Sequence, residues 1–287
     1  MLFYTILILT LIWSTINSTF FAWISKNKSI LGVSFYRSVF ISILLLPILF
    51  FADFSKVTTS FIWVSIIIWV IGAVWFFFQL QANKYLPMGV VWALMNLNNI
   101  WVLIFSAIVL WEKLSLFGYI WATILIISLI ILGWSKTDKT KNIDYKKWIF
   151  FVSLRILTLV IWISGFIYYS REVDPYFAIY LSEFTVLLWF IPFLIYYSKV
   201  QKKEEIFRIF NKKEIIKFSL MCFFPAFFSF GLFYASTIGN PSIVTLTLST
   251  SSIFIALVWY FFYRQKIRLI QWLMIILSVI GLFIINI

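Results

Sequence analysis

Residues 82–121, ANKYLPMGVVWALMNLNNIWVLIFSAIVLWEKLSLFGYIW, and residues 235–272, ASTIGNPSIVTLTLSTSSIFIALVWYFFYRQKIRLIQW, decide the fold, because the second reads as a diverged copy of the first. Pro87 and Pro241 interrupt the chain at the same place, each ahead of a long apolar run, and Glu112-Lys113 stands where Gln265-Lys266 stands in the copy. The correspondence continues upstream. SFYRSVFISILLLPILFF (34–51) lies opposite AIYLSEFTVLLWFIPFLIYY (178–197), with Pro47 matching Pro192. Apolar strings resemble one another by composition alone, but composition does not place prolines, so the shared positions argue for an internal repeat.

The solvent around these repeats is lipid. Of 287 residues 63% are apolar and 11% charged, with a mean hydropathy of +1.04, against roughly 45–50% and about 25% in a water-soluble domain. A run of about 20 apolar residues crosses the hydrocarbon core as a helix, and ten such runs are legible. They are 2–24, 30–51, 60–82, 89–111, 115–134, 148–169, 176–197, 217–236, 242–262 and 269–286. Their hydrophobicity is continuous rather than alternating, which excludes a transmembrane β-barrel. The first run has no basic leader and no small-residue cleavage site, so it is expected to be a retained helix.

The basic residues test the count independently. Of 23 Lys and Arg, 18 fall in the loops after the first, third, fifth, seventh and ninth runs, three in the remaining loops and two inside runs. That alternation supports ten transmembrane helices in an all-α membrane protein of the cytoplasmic membrane, with both termini outside the cytoplasm. It also explains the net charge of +13 as orientation and headgroup contact rather than nucleic-acid binding. Residues 135–147 (SKTDKTKNIDYKK) are polar and read as a cytoplasmic linker between residues 1–134 and 148–287. Between Lys199 and Lys217 charges interleave with Ile206, Phe207, Ile209, Phe210, Ile215 and Ile216, which suits either an amphipathic helix on the leaflet or a solvated loop. Each half holds five runs, an odd number, so the halves enter the membrane from opposite sides as inverted repeats.

In these features the chain resembles the EamA family of the drug/metabolite transporter superfamily. The resemblance rests on the two five-helix halves, the Arg within SFYRSVFISILLLP, the proline turn before the fourth run and EKLSLFGYIWATILIISLIILG (112–133). Family members often carry Gly where Trp111 stands and a second Glu where Gln265 stands. The resemblance implies secondary active transport of a small metabolite, often an amino acid and usually outward.

A charge inside the bilayer is costly enough to be a functional candidate by default. Three qualify: Arg37, Arg155 and Glu183. Glu183 is the only acid deep in a run and is the proton-coupling candidate. One reading pairs it with Arg155 as structural glue; another leaves a spare cation to receive a substrate carboxylate or phosphate. Helical spacing collects further polar and aromatic groups as substrate-binding candidates: Trp13 and Asn17; Trp92, Asn96 and Asn99; Trp162, on one face with Arg155; and Ser249 and Ser252. Such residues also serve as plain helix-helix contacts.

No His is present and Cys222 is the single cysteine, which excludes disulfides, multi-cysteine metal sites and histidine relays; no metal and no cofactor is expected. With no phosphate-binding loop and no clustered acid pair, the chain is expected not to be an enzyme. The leading expectation is a secondary transporter working by alternating access on a small zwitterionic or anionic metabolite, most simply an amino acid or relative, exported. The alternatives are uptake of a nutrient or cofactor, export of cationic drugs through an aromatic cage, and a subunit that flips lipid-linked sugars. Expected partners are the small-molecule substrate and membrane lipids, without nucleic acid, the chain being a monomer or homodimer.

Overall fold

The computed structural model describes residues 2–85, 97–134, 145–201, 210–263 and 269–285, and among these every regular element is a helix. In hydrocarbon each backbone N–H and C=O must find its partner within the segment, and a helix satisfies that requirement. The first half contains α1 (Leu2–Asn27), α2 (Ile30–Leu45) continued by a 3₁₀ turn (Leu46–Phe51), α3 (Thr59–Ile67), a π-turn (Ile68–Gly72), α4 (Trp75–Tyr85), α5 (Asn98–Ile108) and α6 (Leu116–Trp134). The second contains α7 (Tyr145–Glu172), α8 (Pro175–Gln201), α9 (Lys212–Met221), α10 (Phe223–Ile238), α11 (Pro241–Ser249), α12 (Ser251–Tyr263) and α13 (Leu269–Ile285).

Among the described residues six apolar helical stretches are long enough to cross a membrane: Leu2–Phe21, Ile30–Phe51, Thr59–Ala82, Phe150–Glu172, Pro175–Pro192 and Lys212–Ile238. The other four expected spans appear as shorter apolar helices, Asn98–Ile108, Leu116–Ser128, Pro241–Ile255 and Trp272–Gly281. Local chemistry sets several of the starts. Thr58 Oγ1 accepts from Phe61 N (3.3 Å) ahead of α3. Asn211 and Glu214 form a reciprocal capping box at α9, with bonds of 2.8 and 2.9 Å. Asn240 Oδ1 accepts from Ser242 N at α11, whose first residue is Pro241, a position where a missing N–H costs nothing. Of the connector expected to be amphipathic, residues 202–209 lie outside the described residues, as does Gln265.

The third span is broken. Ala73 N bonds back to Ile68 O (3.1 Å), which closes one π-turn, and α4 starts two residues later. Gly72 lets this turn lie close against α7, because a Cβ there would stand 3.0 Å from both the backbone N and the Cβ of Trp162. In the second half Gly231 lies against Thr10 of α1 in the same manner. Each of these glycines lets a helix of one half approach the other half at backbone distance. Helices pair across the halves throughout: α1 with α10, α4 with α7, α2 with α8, and α6 with α13. The main core buries Leu7, Phe21, Ile41, Trp162, Phe166 and Phe233, while a smaller one around Leu125, Leu246 and Ile275 joins α6 and α13 to α11.

The two ends of the bundle are tied differently. At the lysine-rich end, Lys28 pairs with Glu214 (3.1 Å) and lies over the Phe210 ring. At the opposite end, Arg171 near the end of α7 donates to Glu112 (2.5 Å), to Ser236 O (2.6 Å) and to Gly239 O (2.6 Å). Ser236 O belongs to the last turn of α10 and Gly239 O to the residue just past its end, so the cation sits at the negative end of the helix dipole.

Candidate functional site

Between the halves lies a cavity of about 100 Å³ to which α1, α4 and α5 contribute from one side and α7, α10, α11 and α12 from the other. Arg155 is its cation. The residue is 5% exposed, and its Nε and Nη1 are buried with no hydrogen-bond partner. An unpaired guanidinium out of water is expensive, so its presence in a cavity wall is the feature that calls for a ligand. Around it the side-chain oxygens Asn17 Oδ1, Gln79 Oε1 and Asn99 Oδ1, and the indole N–H of Trp75, are likewise buried and unpartnered. Asn99 is held in place through its amide, which donates to Ser249 Oγ (2.6 Å) across the halves, and the Ser249 hydroxyl in turn donates to Thr245 O (2.8 Å).

The wall between these groups is aromatic. Phe21, Trp75, Phe76, Trp162 and Phe228 line it, and Trp162 is fixed by an indole N–H bond to Ser182 O (3.1 Å) and by a ring contact with Trp75 at 5.2 Å. Behind Phe21 and Phe76 sits the second buried ion group. Arg37 donates to Glu183 through both terminal nitrogens, at 2.8 and 3.2 Å, and Ser229 also donates to Glu183. The two side chains are 2% and 1% exposed, and the guanidinium stacks 4.3 Å from the Phe76 ring centroid.

Arg155, Asn17, Asn99, Trp162 and Ser249 all line this one cavity. The pairing of Glu183 with Arg155 is corrected: Arg37 takes that acid, and Arg155 is the spare cation. Arg37 itself stands outside the lining, since its charge is already met and two phenyl rings separate it from the space. Trp13 is also outside, stacked on Phe227 at 4.8 Å. Asn96 and Trp92 lie outside the described residues, and the Ser252 side chain is not described; its neighbour Ser251 lines the cavity. Asn98 and Phe228 were missed by periodicity. Asn98 opens α5, and a residue at a helix start is not placed by the face pattern of the turns that follow.

The EamA-like transporter family matches residues 2–134 and again residues 146–287. A solved chain described only as "Crystal structure of protein" superposes with a TM-score of 0.70 at 11% identity, covering 98% of this chain and 94% of that one. This likeness shows a shared fold. No curated protein sequence matches. With two matched segments that together span nearly the whole sequence, apolar helices throughout and a polar cavity between the halves, this chain belongs to the EamA-like transporter family of the drug/metabolite transporter superfamily and is a multi-pass membrane transporter.

Proposed function

We propose that the protein is a secondary transporter of the cytoplasmic membrane that works by alternating access. It carries a small zwitterionic or anionic metabolite of the amino-acid type, outward, through the Arg155 cavity. The observation that carries this reading is the unpartnered guanidinium of Arg155, buried in a wall that both halves build. A carboxylate supplies the missing partner through charge-assisted hydrogen bonds.

Ten spans arranged as two inverted halves are part of the proposal. The helix pairing supports them: exchanging the halves turns the contact of span 1 with span 8 (α1 with α10) into that of span 6 with span 3 (α7 with α4). The pairs of span 2 with span 7 and of span 5 with span 10 map onto themselves. A motion that swaps the roles of the halves therefore finds matching contacts on both sides, as rocking-bundle transport requires. On the same reading Glu183 is the group through which a proton gradient acts, because protonating it releases Arg37.

Reconstituted vesicles preloaded with a candidate solute and supplied with its labelled form test the proposal by counterflow. Uptake of at least one small carboxylate is expected, with loss in Arg155→Gln that elutes as a folded monodisperse species. Absence of flux for every anionic and zwitterionic solute with the wild-type chain correctly folded counts against it.

A further inference from the structure

If substrate passes through the Arg155 cavity, as the transport reading holds, the charges in its wall separate anionic from zwitterionic ligands. The described residues that line the cavity include one cation, Arg155, and no carboxylate. The undescribed stretch 86–96, LPMGVVWALMN, has no acid either, and the acid deep in a span, Glu183, is bound by Arg37 and Ser229. Among the described lining residues, an ammonium group entering the cavity thus finds no anion to pair with.

Nor does it find a free aromatic face among the best placed rings. The Phe21 and Phe76 rings face Arg37 at 5.9 and 4.3 Å, and Trp75 faces Arg155 at 5.9 Å. Trp162 is enclosed by Trp75, Phe166 and Phe233. A cation-holding cage needs ring faces open to the ligand, and arginines already meet one face of each of Phe21, Phe76 and Trp75.

Backbone polarity acts in the same direction. The first residues of three helices line the space: Trp75 and Phe76 of α4, Asn98 and Asn99 of α5, and Ser251 of α12. Helix starts carry the positive end of the dipole, and although Phe77 N, Ile100 N and Ile253 N are already bonded to Val74 O, Leu97 O and Thr250 O, that polarity favours an anion beside Arg155 and disfavours a second cation. The unpartnered oxygens of Asn17, Gln79 and Asn99 then require donors from the ligand, and a neutral O–H or N–H satisfies them without adding charge.

We infer that the ligand is a small monocarboxylate bearing a neutral hydrogen-bond donor, as in a 2-hydroxy acid or an N-acylated amino acid, rather than an α-amino acid with a free ammonium. The bound site is then electroneutral, whereas a zwitterion leaves the charge of Arg155 in excess inside the membrane. Burying that uncompensated charge is the penalty that separates the two classes.

The test compares matched sets on the purified full chain by ligand-induced shift in unfolding temperature and by counterflow. One set is lactate, propionate, alanine and alaninamide; the larger set is phenyllactate, phenylpropionate, phenylalanine and phenylalaninamide. The hydroxy acid of at least one set is expected to bind most tightly, roughly tenfold or more above the amino acid, a ratio equal to about 1.4 kcal/mol. The plain acid is expected between them and the amide cation last. In Arg155→Gln the preference for hydroxy acid over amino acid collapses towards one, while Arg155→Lys retains it. An amino acid that binds or moves as well as its hydroxy acid overturns this inference and leaves the transport reading standing. Failure of all eight compounds in both assays overturns the inference and the assignment of the cavity together.

Discussion

Arg37 and Glu183 lie ten and nine residues ahead of Pro47 and Pro192, at near-equivalent places in the two halves, and they bind each other through two hydrogen bonds of 2.8 and 3.2 Å. One ion of the pair comes from each repeat, so the contact joins the halves next to the cavity wall. With side chains 2% and 1% exposed, neither charge has water as an alternative partner. The pair resists opening because opening it strands a charge.

That relationship sets the first expectation. Glu183→Gln or Arg37→Met alone is expected to lower stability by about 3–5 kcal/mol, because the surviving charge is left buried. The double variant Arg37→Met/Glu183→Met recovers most of the loss, since it removes both desolvation penalties. Thermal unfolding in detergent reads the comparison, and a double variant as unstable as the worse single one contradicts it. In vesicles the double variant also reports on proton coupling: its flux is expected to be indifferent to an imposed pH gradient that drives the wild type.

Trp111 stands with φ 55°, the single non-glycine residue with positive φ among the described residues. It stands directly before Glu112, and a bulky side chain in the left-handed region costs roughly 1–2 kcal/mol. At 80% exposure the indole has little packing to lose. Trp111→Gly is therefore expected to raise the unfolding temperature by the equivalent of about 1 kcal/mol. A decrease would show that the ring anchors the loop more strongly than the backbone is strained.

Gly231 and Thr10 touch where α10 crosses α1, and Thr10 Oγ1 is already committed to Ile6 O at 2.7 Å. Gly231→Ala is expected to destabilise by about 1–3 kcal/mol through overpacking, and Thr10→Ala in the same chain restores most of it. Gly281→Ala serves as the control, because its added methyl would find neighbours no nearer than 3.7 Å. Equal losses at both glycines would remove the argument from close approach.

The end of the bundle away from the lysines is held by Arg171, which collects Glu112 from the first half and, from the second, the carbonyls of Ser236 in α10 and of Gly239 just beyond it. Along α7 it stands about 24 Å from Arg155 at helical rise, so it closes the far side rather than touching ligand. In a Cys222→Ala background, Ser18→Cys in the cavity wall is expected to react with a polar maleimide from the lysine-rich side. Adding Arg171→Gln raises labelling from the other side several-fold. Unchanged labelling from that side disproves a latch at Arg171.

Much of this was legible before any coordinates. Composition requires a backbone that bonds itself, because lipid offers no hydrogen bonds to an open one, and the unbroken apolar runs make that backbone helical rather than a barrel. Spacing at three and four residues placed Arg155 and Trp162 on one face, and both line the cavity. The same method misplaced Trp13, which stacks on Phe227 instead. Ser251, which the face pattern did not single out, lines the space, since the turn at Thr250 shifts the phase between α11 and α12. Asn98 was invisible for a related reason, since it opens a helix whose register begins there.

By itself the sequence determined the solvent, the helices, the depth of each charge and the number of ions that had to be reconciled within the membrane. Tertiary structure alone decided which cation met Glu183 and which was left over. Rise per residue sets how deep a side chain lies but not which helix packs beside it. That choice was made by contacts between halves 146 positions apart, where small residues such as Gly72 and Gly231 let backbones close on one another and left Arg155 facing an open space.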